Sequence, residues 1–325
     1  MNIKLNLERD IMIQVDDVSF SYTVFHKNPG IKGTINDFFH RKLIKNTAIK
    51  SLNLTINDGE VIGLIGPNGA GKTTLTKLLT GIIMPEKGKL IVDGIDPSSR
   101  SKKLYKNIGV MFGQKTQLSW NLPPMDTFNM LSAIYELDQK DYKSRLDQLI
   151  NMLDIGDIVK IPVRKLSLGQ RIKCELLCAL IHSPKYLFLD EPTIGLDIVT
   201  QKNIYDFLIA ENHLNHTTII LTSHNLKDIE ALSKRLLILA RGQIIFDGMM
   251  DELPIDIKDK QEFNIKFIDT QWNRITNQTF SILELEHNIK KIGQENIISI
   301  NREGISIEDL ILSLYKEWDM TNDNK

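Results

Sequence analysis

The spacing of apolar and polar positions changes period several times along the 325 residues. Ile11 to Tyr22, IMIQVDDVSFSY, alternates in the manner of a half-buried strand with turn chemistry at Asp16-Asp17. Ala48 to Ile56 is again strand-like, the turn Asn57-Asp58-Gly59 follows, and the apolar positions of Glu60 to Ile65 predict a short buried strand. A helix is expected from Thr73 to Leu79. Lys89 to Val92, bracketed by Pro85–Gly88 and Asp93-Gly94, predicts a short strand in a hairpin, and Asn107 to Phe112 another strand. Helical spacing then takes over from about Asp126 to Cys178, as in Tyr142, Leu146, Leu149, Ile150 and Leu153. Tyr186 to Asp190 and Thr218 to Thr222 return to the strand pattern. The alternation predicts an α/β domain carrying a helical insert at about 115–182.

Two stretches stand outside that frame. Thr23 to Lys50 holds six Lys or Arg against one Asp, and predicts a loop followed by a short basic amphipathic helix in which Phe38, Phe39, Leu43 and Ile44 lie beside Arg41, Lys42 and Lys45. This basic insertion, about 23–47, is either a solvated surface excursion or, over 26–45, a contact with acidic lipid or a membrane partner. Beyond Gly248 the composition changes. Glu262 to Ile268 and Ile297 to Ile300 read as strands, and Ser306 to Asp309 as a capping box opening a helix with Ile307, Leu310, Ile311 and Leu314 on one face. The expected division is a domain over 1–248 and a small α/β extension over 249–325.

Composition narrows the classes. Lys plus Arg (40) balance Asp plus Glu (41) to a net charge of −1, which argues against a generally basic nucleic-acid binder. No apolar run approaches the ~18 residues of a membrane-spanning helix, and the first residues lack the apolar core of a signal peptide, so a cytoplasmic location is expected. The two cysteines, Cys174 and Cys178, lie four apart in a helical pattern, which favours thiols on or near a packed face over a disulfide or zinc site.

The chemistry concentrates in turns after strands. Gly66 to Thr74, GPNGAGKTT, fits G-x-x-x-x-G-K-[ST] between a strand and a helix. Gly66, Gly69 and Gly71 let the loop formed with Pro67, Asn68 and Ala70 turn its N–H groups inward, and the helix N-terminus adds roughly half a positive charge. Lys72 is then placed to reach β- and γ-phosphates, and Thr73 to ligate Mg²⁺, with Thr74 completing the motif. Lys72 itself is expected as a solvated loop residue. The strand ending in Asp190-Glu191 presents two carboxylates at a sheet edge: Asp190 suits Mg²⁺ through its water shell and Glu191 suits a general base. Leu166-Ser-Leu-Gly-Gln170 precedes a helix for which Ser167 is a natural N-cap, a second candidate anion site that is weak by itself. His224 follows the strand that ends at Thr222; a lone histidine at a strand end is usually just a polar cap, but here it would face the same edge.

In this order and spacing the phosphate loop, Gln114, LSLGQ, LFLDEP, Gly195-Leu196-Asp197 and His224 resemble the ATP-binding cassette of ABC transporters over roughly Ile11 to Gly248. The resemblance implies a P-loop fold with a mixed-sheet core, an antiparallel β subdomain and a helical subdomain. It implies an ATPase with ATP and Mg²⁺ as ligands, working as an ATP-sandwich dimer of two cassettes. It also implies a separate integral membrane permease, and so a place on the cytoplasmic face of the cell membrane. By the same resemblance Gln114 senses the γ-phosphate and Mg²⁺, Asp197 belongs to the D-loop, His224 is the switch histidine, and Tyr22 stacks on adenine, with Phe25 as rival. Ser167, Gly169 and Gln170 are expected to meet phosphate from the partner cassette, although Leu168 replaces the first glycine of the family's LSGGQ. The form LSLGQR, the segment before the phosphate loop and the C-terminal extension look like an exporter-type subfamily. The alternatives are a cassette ATPase acting on ribosomes or DNA, and an importer ATPase with a regulatory tail. Permease contact is expected near Gln114 and Gln117–Pro123, with Trp120 either in that contact or in the core.

Overall fold

A computed structural model describes residues 11–25, 43–113, 115–223, 226–253, 262–269, 272, 274–303, 314–316 and 318. The chain divides into two compact units, Met1–Met250 and Asp251–Lys325.

The first unit opens with β1 (Ile11–Phe25) and β2 (Leu43–Asn57), followed by β3 (Val61–Ile65) and α1 (Lys72–Leu79). Next come β4 (Lys87–Val92), α2 (Lys102–Lys106) and β5 (Ile108–Phe112). The helical insert comprises α3 (Pro124–Ile134), α4 (Gln139–Leu153) and α5 (Leu168–Leu180). The chain then returns to the core through β6 (Tyr186–Asp190), α6 (Ile198–Asn215), β7 (Thr218–Thr222), α7 (Leu226–Leu232), β8 (Arg235–Ala240) and β9 (Gln243–Met249).

A six-stranded sheet of order β5-β6-β7-β3-β8-β9 is parallel except for β9, and a separate antiparallel sheet has the order β2-β1-β4. The short apolar runs form central parallel strands because they are buried on both faces: Ile62, Leu64, Phe188, Ile220 and Leu237 lie in one core with Leu75 and Leu78 of α1. Each such side chain contributes roughly 1.5–3 kcal/mol. Since β3, β6 and β7 are parallel neighbours, the turns that follow them open on one edge of the sheet, where doubly wound folds hold ligands.

Several expectations need correction. Thr23–Phe25 and Leu43–Lys45 are strand, not loop and helix, because the β1–β2 ladder continues through Thr23↔Lys45, Val24↔Ile44 and Phe25↔Leu43. The rest of the basic insertion, including Phe38, Phe39, Arg41 and Lys42, lies outside the described residues. Strand Lys87–Val92 pairs with β1 instead of forming a hairpin of its own. The long helical stretch is broken in physical places: Asp154 adopts the left-handed conformation that ends α4, and Ser167 with Gln170 makes a complete capping box that starts α5. Buried Arg145 of α4 reaches the carboxylate of fully buried Glu211 on α6 at 2.5 Å and the carbonyl of Leu180 at the end of α5. Removing either charge would strand the other in a dry interior, a cost of about 3–5 kcal/mol.

The second unit contains an antiparallel sheet of order β11-β10-β12, with β10 (Glu262–Asp269), β11 (Arg274–Ser281), α8 (Ile282–Ile292) and β12 (Ile297–Glu303). Ile265 and Phe267 are buried on one face of β10. The expected capping box at Ser306 falls outside the described residues.

Candidate active site

The turn after β3 is built around Gly71, whose φ of 111° is costly for a residue with a side chain and whose added Cβ would sit 2.6 Å from the carbonyl oxygen of Ala48. That tight pass starts α1 at Lys72 and leaves the loop in front of the helix N-terminus. Lys72 is not the solvated residue expected; it is buried, with its ammonium donating to the carbonyls of Gly66 at 2.6 Å and Pro67 at 3.4 Å. Burial pushes its pKa below the ordinary lysine value, and the carboxylates of Glu191 and Asp190 pull in the opposite direction.

The two acids sit on the adjoining turn. Asp190 accepts from the hydroxyl of Thr73 at 3.0 Å and from that of Thr222 at 2.6 Å, which locks both carboxylate oxygens. The Glu191 amide donates to the carbonyl and hydroxyl of Thr222, each at 3.1 Å, and Glu191 has a φ of 55°. Such a left-handed glutamate stores on the order of 1 kcal/mol, held by its neighbours. Thr222 was missed by sequence reasoning; its signal is the parallel register that sets it beside Asp190.

A cavity of about 820 Å³ joins these parts, lined by Asn68 to Thr74, Asp190, Glu191 and, from β1, Tyr22. Gly66 and Pro67 lie behind it as acceptors for Lys72. Tyr22 packs edge-on to Phe20 at 4.9 Å and brings its hydroxyl to 3.4 Å from that of Thr74. Asn46, Thr47, Lys77 and Ile82 also line the cavity and were not expected there. Asn46 enters because β2 begins earlier than its apolar pattern suggests and pairs directly with Tyr22. Among the described residues no group of three or more His, Cys, Asp or Glu could cage a metal. The adjacent Thr73 hydroxyl and Asp190 carboxylate instead form a donor set suited to Mg²⁺, a hard ion that keeps waters and takes phosphate oxygens as its other ligands.

The remaining expected residues are placed differently. Ser167 is exposed, and among the described residues its hydroxyl accepts from Gln170 N, at 3.2 Å. Asp197 caps α6, accepting from Val199 N, Thr200 N and the Thr200 hydroxyl, and these bonds, the hydroxyl's first, hold its carboxyl below the usual range. A Cβ on Gly169 would meet Thr200 at 2.9 Å, so α5 and α6 start side by side. Ser167, Gly169, Gln170 and Asp197 are not among the residues lining the cavity. Gln114 and His224 lie outside the described residues. Just beyond Gln114, buried Glu175 of α5 accepts from the Thr116 hydroxyl and from the amides of Gln117 at 3.1 Å and Leu118 at 3.4 Å. Trp120 is 53% exposed, which removes the core alternative, and lies 5.3 Å beneath the guanidinium of Arg171.

A glycine-rich phosphate cradle, a buried lysine and a hydroxyl–carboxylate pair at the open edge of a parallel sheet define a P-loop nucleoside triphosphatase. The ABC transporter family profile matches residues 49–194. The chain is 32% identical over 213 residues to the ABC transporter ATP-binding protein NatA of Bacillus subtilis, a match spanning 66% of this chain and 85% of that protein. This protein belongs to the ABC transporter ATP-binding family and is an ABC-type cassette that binds and hydrolyses ATP. It is also 32% identical over 206 residues to the daunorubicin resistance ATP-binding protein DrrA3 of Streptomyces coeruleorubidus (63% of this chain, 65% of that one). A methionine import ATP-binding protein, MetN of Corynebacterium glutamicum, is 29% identical over 226 residues, 68% of this chain and 62% of that one. Among solved structures, a dimeric bacterial ABC transporter cassette superposes with a TM-score of 0.60 at 21% identity, covering 74% of this chain and 99% of that one. Among the described residues no helix is long and apolar enough to cross a membrane.

Proposed function

We propose that two cassettes sandwich ATP, each site joining the phosphate loop of one copy to the LSLGQ segment of the other, and that hydrolysis drives export through a separate membrane subunit. The observation that carries the sandwich is the unequal state of the two phosphate-binding elements. One lines the cavity, while the other, Ser167 to Gln170, is no part of that lining and exposes Ser167 and Leu168. A dimeric cassette among the structural neighbours supports the same reading.

In each site Lys72 and the loop amides hold the β- and γ-phosphates, and Tyr22 stacks on the base. Glu191 takes a proton from the water that attacks the γ-phosphate in line. His224, Gln114 and the second copy's Ser167 stabilise the transferring charge. Thr73 and Asp190, with Gln114, would hold Mg²⁺, which would supply charge neutralisation to the triphosphate. The exposed surface formed by Trp120 and Leu122 is where the membrane subunit docks, tied to α5 through Glu175 and Arg171. Similarity to a drug-resistance subunit favours export, against the methionine importer of lower identity. Arg41, Lys42 and Lys45 add a contact with acidic head groups that weakens with salt; Lys45 meanwhile pairs with Glu86 at 3.3 Å on the exposed surface.

The test is purification of the chain with its membrane partner and reconstitution into vesicles with the cassettes outward. ATP-driven accumulation inside the vesicles is the expected result, because the cassette face is the face from which an exporter collects. Loss of substrate from preloaded vesicles would reverse the direction, and recovery with ribosomes or DNA instead of a membrane chain would overturn the transporter reading.

A further inference from the structure

Three segments far apart in the chain meet at the peptide group between Asp190 and Glu191. Its carbonyl accepts from the amide of Gly113, just beyond β5, at 2.9 Å. Its N–H donates to Thr222 of β7, to the backbone carbonyl and to the hydroxyl, each at 3.1 Å. Gly113 is closely fitted, since a Cβ there would sit 2.8 Å from the Asp190 carbonyl oxygen. The peptide is thus held from both sides by the strand order β5-β6-β7, and Glu191 leaves it with its φ of 55°.

The Thr222 hydroxyl serves both acids at once. An amide can only donate, so the hydroxyl oxygen accepts from Glu191, and its single hydrogen is left for the Asp190 carboxylate 2.6 Å away, the length of a charge-assisted bond. Thr222 is fully buried and is not among the residues lining the cavity. Ile219, Ile220 and Leu221 fill the same strand with apolar groups, so packing alone would be met by valine. The other oxygen of Asp190 takes the hydroxyl of Thr73, a residue that does line the cavity. One anchor of Asp190 therefore belongs to the nucleotide-facing helix start and the other to the sheet. We infer that Thr222 is a positioning residue for ATP hydrolysis, its hydroxyl fixing the Asp190 carboxylate and the turn into Glu191 relative to each other before a nucleotide arrives. The inference rests on the reading of these two acids as the metal-holding group and the base. Groups that orient a ligating carboxylate commonly carry about 10–100-fold in metal affinity or rate.

The test uses the full chain with two readouts: steady-state ATP turnover, and binding of Mn²⁺ in the presence of a non-hydrolysable ATP analogue, followed by the electron paramagnetic resonance of free Mn²⁺. Thr222→Val keeps the shape and loses the hydroxyl. Its kcat falls about 10–100-fold with KM for ATP little changed, and the Mn²⁺ concentration for half-saturation rises about tenfold. Thr222→Ala, a second hydroxyl-free variant, repeats both losses. Thr222→Ser keeps the hydroxyl but gives up a buried methyl, so its Tm falls while both readouts stay within about threefold of the parent. Stability and function then rank the variants differently, which a purely structural role does not produce. Parental Mn²⁺ binding and turnover in the hydroxyl-free variants overturn the inference, as does a loss in Thr222→Ser equal to that in Thr222→Val. Asp190→Asn separates this from the site itself: it is expected to lose Mn²⁺ binding, and if it too matches the parent, the reading of the cavity falls and the inference with it.

Discussion

The cassette holds two helix starts suited to phosphate, and they are finished to different degrees. At α1, glycine conformation, a buried lysine and two side-chain bonds to Asp190 converge on one cavity. At α5, Ser167 and Gln170 satisfy each other, and the surroundings are surface: Leu168 is 41% exposed, and nearby Ile194, Ile198 and Val199 are exposed too. The first start is organised by its own chain. The second is a capped helix with an apolar margin, which gains a ligand only when something is brought to it. Under the proposed sandwich, a site divided this way would link catalysis to assembly, since neither half alone would surround the phosphates.

The strongest way to break the contrast is at the organised half. Lys72→Ala should reduce ATP turnover by about 10³-fold, comparable to or beyond the loss of a single charge-stabilising donor. Circular dichroism should show the fold retained, because alanine fits the first turn of α1. Residual turnover near the parental rate would mean that the cavity is not where ATP is cleaved. Glu191→Gln should come next, with loss of about 10²-fold from removal of the base while ATP still binds. Size-exclusion with ATP and Mg²⁺ should then show a long-lived dimer; a monomer under those conditions would contradict the division of the site between two copies.

Changes at the second half should be milder. Ser167→Ala removes the helix cap, at about 1 kcal/mol of stability. It also removes a hydroxyl from the opposing phosphate, so turnover should fall about tenfold when dimers form, with KM for ATP nearly unchanged. A mixed dimer with one Ser167→Ala chain and one Lys72→Ala chain sharpens this, since in one pairing both lesions fall in a single site. Leu168→Gly should have the smallest effect. The Leu168 side chain lies against Gly195, where an added Cβ would approach it to 3.3 Å. Glycine should therefore cost about 0.5–1 kcal/mol in thermal unfolding, with turnover changed by less than about a factor of two. A large rise in turnover would show that Leu168 crowds the bound phosphate.

Legibility in the sequence follows the same line. Tyr186–Asp190 and Thr218–Thr222 were readable to the residue because short apolar runs that end in polar groups have few other places in a parallel sheet. The phosphate loop was readable because glycine spacing and backbone need coincide at Gly71. Helix α6 escaped: Ile198 and Val199 are exposed while Ile204, Phe207 and Leu208 are buried, so its apolar residues do not trace one stripe. The extension of β2 back to Leu43 escaped because Leu43, Lys45 and Asn46 carry little strand pattern of their own; pairing with β1 decides their conformation. Thr222 and Asn46 reach the site by register between strands, and register is a property of the sheet that a single strand's sequence does not display.

The two cysteines have a practical consequence. Cys174 and Cys178 are both buried in α5, and burial pushes the Cys174 thiol up to about 12 and the Cys178 thiol well above its ordinary value. Alkylating reagents act on thiolates at accessible positions, so the native chain should remain unlabelled at neutral pH while folded. A single cysteine introduced at exposed Ile198 would then be the one reactive handle, and a short bifunctional crosslinker could capture paired cassettes with no need to strip native thiols from the helix that carries LSLGQ.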